Sequence, residues 1–141
     1  MPVQLRWADL DPNFHLRHSV YYDWGALCRV ECFRHLGLTT QFMQENHIGP
    51  ILFREECVFR KEIRDGDRIS IDLGLVKARR DYSRWTMRHQ VVRNEDTISA
   101  VITVDGAWID TMKRKLGVLP ETAFGRFSQL PRDADFQWLD Q

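Results

Sequence analysis

Polar and apolar positions alternate over residues 3–8, with Val3, Leu5 and Trp7 on one side and Gln4 and Arg6 on the other, the period of a half-buried strand. The next stretch, Asp9-Leu10-Asp11-Pro12-Asn13-Phe14-His15, predicts a loop, because Asp and Asn suit turns and Pro12 pushes its predecessor out of the α region. From Val20 to Leu36 no Pro interrupts, Ser19 stands at the N-cap position and Gly37 supplies the stop, which predicts a helix. At about 100° per residue, Asp23, Glu31, Arg34 and His35 share a third of its circumference, while Tyr21, Trp24, Leu27, Cys28, Val30 and Phe33 fill most of the rest. Such a helix is buried over most of its surface. Arg29 lies outside the polar stripe and therefore requires a carboxylate or carbonyl partner.

After a connection over residues 38–50 the pattern turns to strands. Ile51 to Ile63 is long and mixed, Ile69-Ile71-Leu73-Leu75 alternates cleanly, Trp85-Met87-His89-Val91 alternates with one polar member, and Ile98 to Ile109 is rich in β-branched residues. Asp65-Gly66-Asp67, Arg79-Arg80-Asp81 and Arg93-Asn94-Glu95-Asp96 supply the turns, and Gly106 marks a bulge or a close backbone approach. The order strand, helix, four strands predicts an α+β domain: an antiparallel sheet of about five strands wrapped around one long central helix. A sheet of that kind keeps a free edge and a partly covered face, so pairing with a second copy is expected.

Twenty basic and twenty acidic side chains cancel, so the one-signed field of a general nucleic-acid or membrane-surface binder is missing. No apolar run approaches the roughly 18 residues of a membrane span. Three cysteines, Cys28, Cys32 and Cys57, are too few for a disulfide scaffold and read as reduced thiols. The opening residues carry no basic segment followed by an apolar one, so a cytoplasmic location is the default expectation.

Chemistry concentrates between Asp9 and Tyr22, where two carboxylates (Asp9, Asp11) and two imidazoles (His15, His18) precede the helix N-terminus. Unpaired amides at a helix start can polarise a carbonyl oxygen, and a nearby carboxylate can act as general base or nucleophile. That combination suits acyl transfer or hydrolysis; the plainer reading is a polar turn with capping Asp residues and a surface His.

Asp11-Pro12-Asn13-Phe14-His15-Leu16, followed by Tyr21 and a helix ending at Gly37, resembles the opening of hot-dog fold acyl-CoA thioesterases of the 4-hydroxybenzoyl-CoA thioesterase type. Residues 51–67, ending in Gly66-Asp67, resemble that family's second strand and corner, and Lys113 to Glu121 its closing segment. The resemblance implies a single domain over residues 1–121, with 122–141 as a C-terminal extension. It also implies an acyl-CoA thioesterase in which Asp11 is the catalytic carboxylate and the helix amides hold the thioester oxygen, with His15 beside it. Phe14 occupies a position usually Gly in that family, and Arg17 and His18 stand where two Asn are typical. Asp9 is the competing carboxylate; Asp23, Glu31, Glu55 and Glu56 fit better as solvated or ion-paired.

Aromatic residues near Asp11 (Phe14, Tyr21, Trp24 and Phe59) are expected to line an acyl pocket that favours aryl or medium acyl groups. Coenzyme A enters as part of the substrate, and its phosphates need cations; Arg79, Arg80 and Arg84, or else Lys113, Arg114 and Lys115, offer them. No metal or other cofactor is expected, since His15 and His18 with Asp11 lack a third clear ligand at zinc-like spacing. The rivals are a non-catalytic acyl-CoA or acyl-carrier-binding module and a hot-dog hydratase or dehydratase using His15 as base. A homodimer or homotetramer is expected from the free sheet edge and from the family.

Overall fold

A computed structural model describes residues 1–139. Its strands are β1 (Pro2–Val3), β2 (Ile48–Phe59), β3 (Ile69–Ile71), β4 (Gly74–Ala78), β5 (Arg84–Arg93), β6 (Thr97–Asp110), β7 (Lys115–Leu116) and β8 (Arg132–Trp138). The helices are α1 (Val20–His35), α2 (Thr40–Glu45) and α3 (Glu121–Phe127). The expected sheet of about five strands is, among the described residues, one sheet of eight. They nevertheless fall into five rows: β2, then β6, then β5 prolonged by β7, then β3 with β4, then β1 with β8.

The extra strands come from breaks and from the C-terminus. The continuous run expected over Ile69–Leu75 is interrupted at Asp72-Leu73, where the Asp72 carbonyl turns to His89 Nδ1 (2.9 Å) instead of continuing the ladder. The N-terminal strand shrinks to two residues because Trp7–Asp9 coil into a 3-10 turn. The segment after residue 121, expected as an extension, is built into the domain. Ala123 and Phe127 are fully buried, and β8 pairs parallel with β4, so the sheet is not antiparallel throughout.

Alternation places Trp85, Met87, His89 and Val91 of β5 inward, each no more than 2% exposed, as the sequence pattern requires. The α1 residues Val20, Tyr21, Trp24, Cys28 and Phe33 close the same core against Ile69, Ile71, Ile102 and Val104. Three helices, not one, share the covering of the sheet. With 16 residues, α1 is about 24 Å long, the longest of them, so the one long central helix expected from the sequence is met only in part. Its C-terminal stop is Gly37 at φ +78°, a left-handed conformation that glycine adopts at no steric cost. The N-cap expectation fails: Ser19 caps no α1 amide, and its Oγ accepts from Arg17 Nε at 3.1 Å. The connection expected over residues 38–50 contains α2, capped by Thr39 Oγ1, which accepts from the Phe42 amide at 3.1 Å.

Gly106 is the expected close approach. A Cβ there would lie 2.4 Å from Trp85 Cη2 and 2.6 Å from the Ile51 carbonyl oxygen. Directly opposite, β2 bulges between Leu52 and Arg54, leaving Phe53 as the additional residue. Among the described residues no helix is long and apolar enough to cross a membrane.

Candidate active site

The loop between the 3-10 turn and α1 is built on local hydrogen bonds. Asp11 Oδ1 accepts from the amides of Asn13 (2.8 Å) and His15 (3.1 Å), while the Asp11 amide donates to the His15 carbonyl at 2.8 Å. Among the described residues the other carboxylate oxygen of Asp11 has no hydrogen-bond partner. The loop is tied to the chain beyond β2: the Leu16 amide donates to the Ile63 carbonyl at 2.7 Å, and His15 bridges Arg64. Phe14 takes φ +63°, a backbone that favours glycine and costs a bulky residue strain.

These ties create an open cavity of about 330 Å³ on whose walls Asp11, His15, His18 and Tyr21 meet Phe59. Tyr21 and Phe59 pack edge to face with centroids 5.0 Å apart, and burial pushes the Tyr21 hydroxyl up to about 12. Leu16 and Ile63 add apolar wall. His15 Nε2 lies 3.3 Å from Glu62 Oε2, an imidazole–carboxylate pair facing the same space. The Val20 amide donates to the Arg17 carbonyl at 3.0 Å, but no side chain caps the first turn of α1, which leaves the following amides and the positive dipole end beside this cavity.

Other expected members lie elsewhere. Phe14 is exposed and packs on Trp7 at 5.9 Å, and Trp24 is a core residue; neither lines the cavity. Phe14, with its left-handed backbone, points out onto Trp7, and Trp24, on the same helical face as Tyr21 but one turn further along α1, lies in the core beyond the cavity. Arg79, Arg80 and Arg84 also lie outside it: Arg80 sits over the Trp138 ring at 4.9 Å and Arg84 over Phe53 at 4.9 Å. The cations that do reach the cavity are Arg60 and Lys61, which sequence reasoning missed. Their signal is an Arg-Lys pair directly after a strand, indistinguishable in sequence from a solvated turn.

The two neighbouring carboxylates have different environments. Asp9 is 1% exposed and its carboxylate accepts from Arg6 through Nε (3.2 Å), Nη2 (2.7 Å) and the backbone amide (3.0 Å). The Arg6 guanidinium holds the Asp9 carboxyl below the usual carboxylate range, so Asp9 serves as a structural clasp. Glu31 pairs with Arg34 and Glu56 with Arg54, each at 2.5 Å, as expected for solvated carboxylates. Among the described residues no group of three or more His, Cys, Asp or Glu is placed to hold a metal ion.

A curled sheet with few helices, and a polar loop feeding a helix N-terminus, define a hot-dog protein of the thioesterase class. The chain belongs to the thioesterase-like superfamily, whose family model matches residues 5–133. The narrower 4-hydroxybenzoyl-CoA type is a resemblance only. A thioesterase from Thermus thermophilus, solved in complex with coenzyme A and Zn, is 25% identical, with 89% of this chain and 88% of that chain covered and a TM-score of 0.73. A DHNA-CoA thioesterase from Staphylococcus aureus is 15% identical over 92% of this chain and 87% of that one, at a TM-score of 0.79. A 1,4-dihydroxy-2-naphthoyl-CoA thioesterase from Synechocystis is 16% identical over 92% and 95%, also at 0.79. The last two show likeness of fold. No curated protein matches the sequence.

Proposed function

We propose that the protein is an acyl-CoA thioesterase, hydrolysing R-CO-S-CoA to the free acid and CoA, with Asp11 as general base or nucleophile. The observation that carries this reading is the free oxygen of Asp11 on a cavity beside the uncapped start of α1. As base, Asp11 takes a proton from water whose oxygen attacks the thioester carbon; the C–S bond breaks, and the proton passes to the departing thiolate. As nucleophile, Asp11 attacks the thioester carbon and the C–S bond breaks with CoA leaving as thiolate; water then opens the resulting mixed anhydride, restoring the Asp11 carboxylate and releasing the acid, and the proton from water passes to the thiolate. In either route the α1 amides stabilise the oxyanion. The proposed chemistry calls for no metal or further cofactor, and coenzyme A enters as part of the substrate.

Leu16, Tyr21, Phe59 and Ile63 offer the acyl group an apolar, partly aromatic wall, which favours aryl or medium acyl groups over acetyl. Arg60 and Lys61 are suited to the CoA phosphates. The Thermus thermophilus thioesterase, seen with coenzyme A, supports a CoA thioester as substrate. CoA release measured over acetyl-, hexanoyl-, benzoyl- and phenylacetyl-CoA tests the reading: turnover of at least one of the larger thioesters is expected, and binding without turnover defeats it. The His15–Glu62 pair favours one second reading, a hydratase with His15 as base. His15→Ala abolishes activity in that case and only weakens an Asp11 thioesterase.

A further inference from the structure

A second cavity, of about 370 Å³, opens between α1, α2 and β2, and the proposed hydrolysis makes no use of it. Its volume falls in the range of small-molecule sites. Phe33, Leu38, Met43, Leu52 and Trp85 make it apolar, yet Arg29 stands in its wall. The Arg29 side chain is 9% exposed, and a buried cation is costly unless its charge and donors are met.

The surroundings meet them incompletely. Arg29 Nη1 lies 3.0 Å from His89 Nε2, and His89 Nδ1 lies 2.9 Å from the Asp72 carbonyl oxygen. Since the carbonyl can only accept, Nδ1 carries the proton and Nε2 accepts from Arg29, so the imidazole is neutral and offsets no charge. The one carboxylate in reach, Glu55, is 3.5 Å from Nη2, longer than a charge-assisted hydrogen bond, and is 28% exposed. A guanidinium has five N–H donors, and among the described residues only the one to His89 is engaged at hydrogen-bond distance. Trp85, on the same wall, is 2% exposed and its indole Nε1 has no partner among the described residues.

We infer that this cavity is a binding site for a small apolar monocarboxylate, whose carboxylate takes the free donors of Arg29 while its hydrocarbon body fills the Phe33–Met43–Leu52 side. Two guanidiniums reach the wall, but Arg34 is already paired with Glu31, so Arg29 alone has donors unmet and matches one negative charge; the second charge of a phosphate dianion would have to compete with Glu31 for Arg34. Glu55, partly in water, is free to yield its place.

Calorimetric titration of the whole protein with hexanoate and benzoate, against hexanamide and benzamide, tests the assignment independently of any thioesterase activity. At least one acid is expected to bind at least tenfold more tightly than its amide, with the Trp85 indole N–H resonance shifting in nitrogen-15 spectra. Arg29→Gln is expected to erase the preference and Arg29→Lys to retain part of it. Because the acid–amide comparison needs only the wild type, a misfolded variant leaves the test intact. Equal binding of acid and amide, no saturable binding of either acid, or shifts confined to the Asp11 cavity would overturn it.

Discussion

Asp11 and His15 clasp each other through the backbone: the Asp11 amide donates to the His15 carbonyl at 2.8 Å, and the His15 amide donates back to Asp11 Oδ1 at 3.1 Å. One oxygen of Asp11 thus holds the loop, and the other accepts no hydrogen bond among the described residues. Asn keeps the loop-holding oxygen and removes the base, so Asp11→Asn is expected to lower kcat by on the order of a hundredfold or more. Unchanged melting temperature and acyl-CoA affinity in the same variant would place the loss in the chemical step; a small change in kcat would remove Asp11 from that role.

Asp9→Asn is expected to act on stability instead. The change weakens the buried carboxylate's hydrogen bonds to Arg6, a loss on the order of 1–3 kcal/mol, while kcat stays within a few-fold of wild type. Denaturant unfolding beside CoA release checks both halves, and a variant of normal stability with no activity contradicts the clasp.

His89 couples the core to pH. Burial first, and the Arg29 charge second, push its imidazole down to about 4 from an ordinary 6.5. The unfolded chain therefore binds the proton more readily than the folded one, and stability rises with pH across the window from about 4 to about 6.5. Full stabilisation is present above that window and about 3 kcal/mol is expected to be lost on crossing it downward. His89→Gln should flatten this part of the stability–pH curve, measured by urea unfolding at pH 7 and pH 5; an equal slope in the variant assigns the acid sensitivity elsewhere.

Gly106→Ala puts a methyl group 2.4 Å from Trp85 and 2.6 Å from the Ile51 carbonyl. The backbone contact cannot yield as a flexible side chain would, so a loss of about 1–3 kcal/mol is expected. A thermal melt reads it directly, and an unshifted midpoint would show that the β2 bulge absorbs the clash.

Self-association is expected through β2. This strand pairs only with β6 among the described residues, and Leu52, Phe53, Val58 and Phe59 are each about half exposed along it, a long apolar edge that suits a second copy. Sedimentation at micromolar concentration should give a dimer or larger, and Val58→Lys should shift it toward monomer. A wild-type monomer under those conditions contradicts the expectation.

The sequence alone determined what depends on local period and local chemistry. Inward Trp85, Met87 and Val91 follow from strand alternation, the end of α1 at Gly37 from the need for a left-handed residue, and the approach at Gly106 from a side chain that could not fit. The polar loop around Asp11 was legible because its turn-forming residues sit together in the chain. Only the tertiary structure decided which side chains meet. It brings Arg60 and Lys61 to the Asp11 cavity, leaves Phe14 at the surface and Trp24 in the core, and adds β8 in parallel to the outer row. Arg29 shows the division most sharply. Its position off the polar stripe announced that a carboxylate or carbonyl partner was required; the Glu55 carboxylate on β2 lies 3.5 Å away, but the hydrogen bond goes to the His89 imidazole, 60 residues away on another element. Side-chain partners across such separations are fixed by sheet register and helix packing, and no period along a single element encodes them.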